Sequence, residues 1–371
     1  MTPTVSIMMP AYNAERTIGP AIDSVLAQTM PDWELIVVDD GSTDGTAAQA
    51  AERTGRDARI RLVRQANGGE SAARNTALQQ MQGELMAFLD ADDLYLPEHL
   101  ALTVDYLLAH PERDGVYTDG YHCDEQGTRL QTLSSRRRGP FEGWLFPELV
   151  AASDVFGPPL CLVLRRRLID QQSLTFDPAI VIGPDWDFTT RYAHDAQFGY
   201  IDQPTGCYRV HRNNITHRVD LERRALYMAL CREKAIKLPK FALCPLETRR
   251  ATFYELLVNL LQGHAQRQAE IVAWPQFTAL PIPMQAELLR LMASKAIARG
   301  LRHGQIELWL RQADRLDPFS RQAAMLARLY RASPRLCQLA VRLRKAGQID
   351  PTRQAPLGDV AGSATKQKGT L

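Results

Sequence analysis

The chain has 371 residues, enough for one large domain with an appendage or for two ordinary domains. Hydrophobic residues make up 45% and charged residues 23%, a composition that buries a core and excludes a disordered chain. A formal net charge of +2 gives no reason to expect a nucleic-acid partner.

In chain order, Val5 to Met9 reads as a buried strand. Asn13 is placed to cap a following helix with Ile18, Ile22, Val25 and Leu26 on one face. Glu34 to Val38 is a second strand and Ile60 to Val63 a third. A helix then carries Ala73, Ala77, Leu78 and Met81, and Leu85 to Leu89 is a fourth strand. Pro97 suits the start of a helix with Leu100, Val104, Leu107 and Leu108 inside, and Gly115 to Thr118 is a fifth strand. Alternation of this kind predicts an α/β domain, doubly wound on a mainly parallel sheet with helices on both faces. Ligands of such sheets bind at the carboxyl ends of the strands.

From about Phe141 to His217 the pattern loosens, with a strand at Leu160 to Leu164, a helix after Asp185 and a strand at Gly206 to Val210. Beyond Asp220 the chain reads as helical and Arg-rich. The expected division is a catalytic domain over 1–217, a helical region over 218–349 and a disordered tail over 350–371. Six scattered cysteines without a C-x-x-C pair argue against a zinc site and a disulfide framework. No apolar run approaches the roughly 20 residues of a membrane span, and the N-terminus shows no signal-peptide pattern. A cytoplasmic protein is the expectation.

The residues with chemistry sit where strands end. Asp39 to Thr46 follows the second strand and offers either a turn with a helix cap or a carboxylate that accepts hydrogen bonds from a base or a ribose. There is neither a G-x-G-x-x-G fingerprint nor a P-loop lysine motif, so neither a nicotinamide enzyme nor a P-loop enzyme is supported. Asp90, Asp92 and Asp93 repel one another unless a cation or solvent offsets them. A strand's two-residue period predicts Asp90 and Asp92 on one side, where two carboxylates suit Mg²⁺ or Mn²⁺. Asp93 serves equally well as a helix cap. Asp185, in the run Gly183-Pro184-Asp185-Trp186-Asp187, is either an N-cap or a base whose pKa the neighbouring indole raises by desolvation. His211 ends a strand. Arg74 either pairs with the carboxylates or reaches a phosphate.

The order and spacing of these segments carry more than any one of them. Val5 to Asn13, Val37 to Thr46, Asn67 to Asn75 and Phe88 to Asp93 together closely resemble the inverting glycosyltransferases of family 2, with the GT-A fold. The resemblance is tight over about 4–116, looser to about 216, and absent from the last third. It implies that Pro10, Ala11 and Tyr12 line a nucleotide base, that Asp40 hydrogen-bonds it, and that Asn13, Ser42, Asn67 and Arg74 surround the nucleotide. It implies further that Asp90 faces the ribose or the metal, that Asp92 binds the divalent cation, and that His211 approaches the diphosphate or the metal. Asp185 matches the family's base, with Asp187 as fallback. Pro184 departs from the pattern, because the residue before the base is usually acidic. The donor implied is a nucleoside-diphosphate sugar, UDP-linked at the level of the family, and the acceptor a glycan or lipid-linked saccharide.

Two rival classes remain beside this reading. One is a non-catalytic sugar-nucleotide-binding or scaffold protein with a degenerate acceptor site. The other is a nucleotidyltransferase, disfavoured because Pro10 to Asn13 stands where that class needs a glycine-rich basic loop. The stretch from Arg321 to Lys345 has no Asp or Glu and reads either as a packed helix pair split at Pro334 or as a basic amphipathic segment in peripheral contact with the inner face of a membrane.

Overall fold

The structure, a computed structural model, describes residues 2–211, 219–301, 303–318 and 321–346. The tail expected to be disordered, 350–371, and the boundary expected at 217 lie outside the described residues. The described chain forms two compact units, Met1–Met284 and Gln285–Leu371.

The first unit is built on one mixed sheet. Its strands are β1 (Val5–Ala11), β2 (Trp33–Asp39), β3 (Ile60–Arg64), β4 (Leu85–Phe88), β5 (Leu94–Tyr95), β6 (Gly115–Cys123), β7 (Arg129–Thr132), β8 (Leu162–Arg165) and β9 (Phe198–Arg209). Their order is β3-β2-β1-β4-β8-β6-β9-β5, with β7 on β6. The first four run parallel. β8 is antiparallel to both its neighbours, and β6 and β9 are parallel. The sheet is therefore parallel over β3-β2-β1-β4 and mixed beyond it, where the strand–helix alternation predicts a mainly parallel one.

Every residue of β2, and all of β1 except Pro10, is buried. A strand without polar alternation belongs in the middle of a sheet covered on both faces, and these two strands take that place. Helices α1 (Ile18–Leu26), α2 (Thr46–Thr54), α3 (Glu70–Gln80) and α4 (His99–Ala109) connect the strands. Ile18, Ile22 and Val25 of the stripe read from the sequence go into the core with Ala21, and Leu26 packs half-buried against it. Because β1, β2, β3 and β4 share one direction, the loops after them open at one edge.

Three short helices follow: α5 (Phe146–Ala151), α6 (Arg166–Gln171) and α7 (Pro184–Ala193). Helix Leu221–Ile236 packs on α7, and helix Leu246–Asn259 packs on α5, so the first unit takes in helices beyond the expected boundary. The second unit is helical, with helices His303–Leu316, Arg321–Ala332 and Pro334–Ala346 after the end of Ile282–Arg299. Pro334 opens the last helix, where its missing N–H costs nothing. Among the described residues no helix is long and apolar enough to cross a membrane. All six cysteines are free and buried.

Candidate active site

The open edge of the parallel strands assembles the site in layers. At the end of β1, Asn13 adopts a positive φ of 49° and ties the first loop to the second. Its N–H donates to Ser42 Oγ (2.9 Å) and its Oδ1 accepts from Thr43 N–H (2.9 Å). Beside it the Tyr12 ring is 52% exposed, an aromatic face free to stack on a planar base.

At the end of β2 the two aspartates are buried and engaged. Asp39 Oδ1 accepts from Ser42 N–H (3.2 Å), and its Oδ2 pairs with Arg64 (3.1 Å). Asp40 Oδ1 accepts from Gly68 N–H (2.9 Å) and Gln65 Nε2 (2.7 Å), and Oδ2 from Gly69 N–H (2.8 Å). Asn67 Nδ2 donates to Asp40 O (2.9 Å). Asp40 and Asn67 thus hold the loop before α3 against the loop after β2. Gly41 permits the approach: its φ is +74°, and a Cβ there would stand 2.8 Å from Asn67 N.

The carboxylates follow β4. That strand ends at Phe88, and Asp93 N–H donates to Asp90 O (3.0 Å) across a turn. The expectation that a strand's period puts Asp90 and Asp92 on one side is therefore corrected. Four residues fold into a turn because the ladder to β1 ends at Phe88. The turn brings their charges close all the same: the charge of Asp92 raises the proton affinity of Asp90, and those of Asp92 and Asp90 raise that of Asp93.

Arg74 lies at the centre, 1% exposed. Its Nη2 donates to Asp90 Oδ1 (2.8 Å), and its Nη1 is 2.7 Å from Glu70 Oε1. Of the two alternatives for Arg74, pairing with carboxylates is the one observed. Burial pulls its pKa down, but the charges of Glu70, Asp90 and Asp185 outweigh burial and raise it. The guanidinium stays charged. Burial, then the charges of Asp90, Asp185 and Asp92, push the Glu70 carboxyl up to about 7 against the pull of Arg74. Burial also raises Asp90.

Asp92 meets His211, with Oδ2 and Nε2 2.8 Å apart. Arg209 fixes this meeting. Its N–H donates to Asp93 Oδ1 (2.9 Å), its Nε to Asp92 O, and its Nη2 to Thr17 O (3.2 Å). Asp93 is 1% exposed, its carboxyl pushed well above the usual range by burial and by Asp92 and Asp90. It joins the turn to β9 and is too enclosed to serve a ligand. Among the described residues no three His, Cys, Asp or Glu side chains gather as a metal site. The Asp92–His211 pair nonetheless fits a divalent cation. Adjacent ligands of an octahedral ion at about 2.1 Å stand roughly 3 Å apart, and Mg²⁺ or Mn²⁺ takes its remaining oxygens from water and phosphate.

α7 brings in Asp185. Gly183 precedes the helix at φ +77°, and Pro184 occupies the first turn, where proline is at home. Trp186 Nε1–H donates to Leu149 O (2.8 Å) and locks α7 onto α5. Asp185 is half-buried beside a concavity lined by Phe156, Pro159 and Thr189, and its charge acts on Glu70, Arg74 and Asp90. Asp187, the fallback base, is 1% exposed and held by Arg191 Nη2 (2.7 Å) and Lys234 Nζ (3.0 Å). A carboxylate enclosed by two cations is a structural anchor, which removes it from the candidates. Glu70 and Arg209 are working residues of the arrangement that the sequence reading passed over. The spacing of four between Glu70 and Arg74 on one helix was the available signal.

Residues 6–169 match the family described as Glycosyl transferase family 2. An uncharacterized glycosyltransferase of Bacillus subtilis, EpsJ, is 48% identical over 234 residues, which cover 58% of this chain and 64% of that protein. The Escherichia coli UDP-Glc:alpha-D-GlcNAc-diphosphoundecaprenol beta-1,3-glucosyltransferase WfgD is 45% identical over 105 residues, 28% of this chain and 41% of that one. The chain thus spans less than two thirds of the length of either relative. Among solved structures, Staphylococcus aureus TarS 1–349 in complex with UDP-GlcNAc superposes with a TM-score of 0.57 at 18% identity, over 93% of this chain and 92% of that one. That likeness concerns the fold.

Proposed function

We propose that this chain, a family 2 glycosyltransferase with the GT-A fold, moves a sugar from a nucleoside-diphosphate donor to a hydroxyl of a glycan or lipid-linked acceptor, inverting the anomeric carbon. One observation carries the reading. The strand-end carboxylates Asp90 and Asp92, the buried Arg74 and the α7 carboxylate Asp185 meet in one electrostatic cluster. A UDP-linked donor and a lipid-linked acceptor are supported by what WfgD, a partial relative, is named for.

In this reading Pro10, Ala11 and the exposed Tyr12 receive the base, while Asp40, Asn13, Ser42 and Asn67 keep their loops in place around it. Asp92 and His211, with Asp90 beside them, would hold a Mn²⁺ or Mg²⁺ ion. When bound, that ion stabilises the negative charge of the departing diphosphate. Asp185 accepts the proton of the acceptor hydroxyl. The oxygen forms its bond to the anomeric carbon as the bond to the diphosphate breaks, and the nucleoside diphosphate leaves from the opposite face. Arg74, desolvated and fixed, adds a permanent positive charge near the leaving group without reorganising.

The exposed apolar residues Met325, Leu336 and Leu339, on helices whose only charges are basic, support contact with an anionic membrane surface, where a lipid-linked acceptor resides. The deciding experiment is a screen of nucleotide sugars, with and without Mn²⁺, for nucleoside diphosphate release. Metal-dependent release from one donor class is the expected result. Donor binding without release from any donor, acceptor present or not, would instead identify a non-catalytic binding protein.

A further inference from the structure

Asp185 borders a recess to which the chemistry described so far gives no occupant. Its walls are Leu149 of α5, Phe156 and Pro159 ahead of β8, Leu162 of β8 and Trp186 of α7. These walls are fixed in place. The Phe156 ring lies against Tyr117 (centroids 5.0 Å apart) and Phe198 (4.9 Å), and Trp186 Nε1–H is committed to Leu149 O (2.8 Å). Thr189 also lines the recess, its hydroxyl donating to Asp185 O (2.8 Å). Among the described residues nothing hydrogen-bonds the hydroxyl of Ser153, exposed at the rim, or the Asp185 carboxylate. The lining runs from 149 to 189 and takes nothing from α3 or from the loops after β1, β2 and β4, where the candidate donor residues gather. It therefore belongs to the acceptor half of the proposed site.

The recess has room for one group the size of a water molecule or a methyl. A sugar ring does not enter it, but a substituent of a ring held at Asp185 does. Water or a hydroxyl there would need several polar partners, and the wall side chains offer none beyond the rim. A methyl needs none and gains apolar contact. Ser153 at the rim then suits a polar group joined directly to that methyl. An acetamido group has this make-up; the methyl of a 6-deoxy sugar has no such group beside it. We infer that the recess takes the acetamido methyl of the acceptor, which makes the acceptor an N-acetylhexosamine whose attacked hydroxyl neighbours the acetamido carbon. The inference rests on the role proposed for Asp185 and names the acceptor class of that site. Ser153 pairs with the amide, and the rigid walls select against a hydroxyl in its place.

The test uses the full chain with Mn²⁺ and with UDP-glucose or UDP-GlcNAc as donor. The acceptors are p-nitrophenyl β-glycosides of N-acetylglucosamine, N-acetylgalactosamine, glucose, galactose and 6-deoxygalactose. Nucleoside diphosphate release gives kcat/KM for each acceptor, and saturation-transfer NMR reads contact without turnover. Each N-acetyl acceptor should exceed its hydroxyl counterpart by about 10-fold or more with either donor, and its acetyl methyl should take the strongest saturation. Ser153→Phe, which fills the recess from an exposed position, should cut that preference to about 2-fold or less. Ser153→Ala, which leaves the space open, should keep the methyl contact. Thermal melts of both variants confirm folding. Equal rates for the paired acceptors, a preference that survives Ser153→Phe, or a 6-deoxygalactoside used as well as the N-acetylgalactosaminide would overturn the recess and leave sugar transfer standing. So would a preference that follows the acetamido group of the donor and not that of the acceptor. Methyl contact without release from either donor would uphold the recess and sink the transfer reading. Neither contact nor release with any acceptor would overturn both.

Discussion

His211 Nε2 stands 2.8 Å from Asp92 Oδ2, so the chain just beyond β9 meets the turn after β4 across 119 residues of sequence. Arg209 enforces the meeting by bonding to both Asp92 and Asp93. In the proposed donor site the pair would supply two adjacent ligands and leave the other positions of an octahedral ion to substrate and water. Asp92→Ala and His211→Ala should each reduce sugar transfer, Asp92→Ala on the order of 10²-fold or more. Both should raise the Mn²⁺ concentration needed for half-maximal rate. A metal titration of each purified variant, with circular dichroism to confirm folding, checks this. An unchanged half-maximal concentration in both would dismiss the metal assignment.

The two aspartates of α7 should separate cleanly by experiment. Asp185→Asn should lower kcat by about 10²- to 10⁴-fold with donor affinity kept, as removal of a general base does. Asp187→Asn should act on stability, because it leaves Lys234 and Arg191 without their shared carboxylate in a largely buried cluster. Breaking such a pair costs about 3 kcal/mol, discounted here by the partial exposure of both cations. Urea unfolding and steady-state kinetics on both variants decide. Exchange of the two phenotypes would make Asp187 the base.

Much of the candidate donor half was legible in the sequence as strand ends, since apolar strands punctuated by Asp, Asn and Gly place polar residues at strand ends by a local rule. The end of β4 was not. Whether Asp90 to Asp93 continues a strand or turns depends on where the neighbouring ladder stops, and only the register of β1 against β4 sets that. Asp187 stood as the fallback base because its partner Lys234 lies 47 residues away. The two-residue β5 and the twelve-residue β9 were illegible or half-read, β9 because its middle, Ile201 to Pro204, is half-buried to exposed and lacks apolar alternation. Glu70 was missed although its helical spacing to Arg74 was visible. Only enclosure by three further carboxyl groups gives that pair its meaning.

His99 opens α4 fully buried, stacked on Tyr95 at 4.1 Å, with Nδ1 2.8 Å from Thr205 Oγ1. Burial pushes its pKa down from 6.5 to about 3. The folded state therefore binds fewer protons than the unfolded state between those values. The stability His99 contributes is complete above pH 6.5 and is lost as pH falls toward 3, by about 1.4 kcal/mol per pH unit at most. Urea midpoints of wild type should fall through this window. Those of His99→Phe, which keeps the ring stack, should fall less steeply. Parallel curves for the two proteins would show that His99 is not the group concerned.

The last two helices carry a charge pattern of their own. From Arg321 to Lys345 there is no acidic residue, and Met325, Leu336 and Leu339 are exposed at 67%, 59% and 55% beside the exposed Arg328, Arg331, Arg335 and Arg342. Leu336, Leu339 and Ala340 recur at helical spacing on the face opposite the buried Cys337 and Val341. A basic face with an apolar stripe gains about 1 kcal/mol per basic residue at an anionic lipid surface. The full chain should co-sediment with vesicles containing anionic lipid and much less with neutral phosphatidylcholine vesicles. Arg335→Glu should weaken the first association about 5- to 30-fold, since it removes one favourable charge and adds an unfavourable one. Leu336→Glu with Leu339→Glu should abolish it, while nucleoside diphosphate release in solution stays as in wild type. Equal pelleting with both vesicle types, or pelleting that ignores these substitutions, would assign the stripe to something other than lipid.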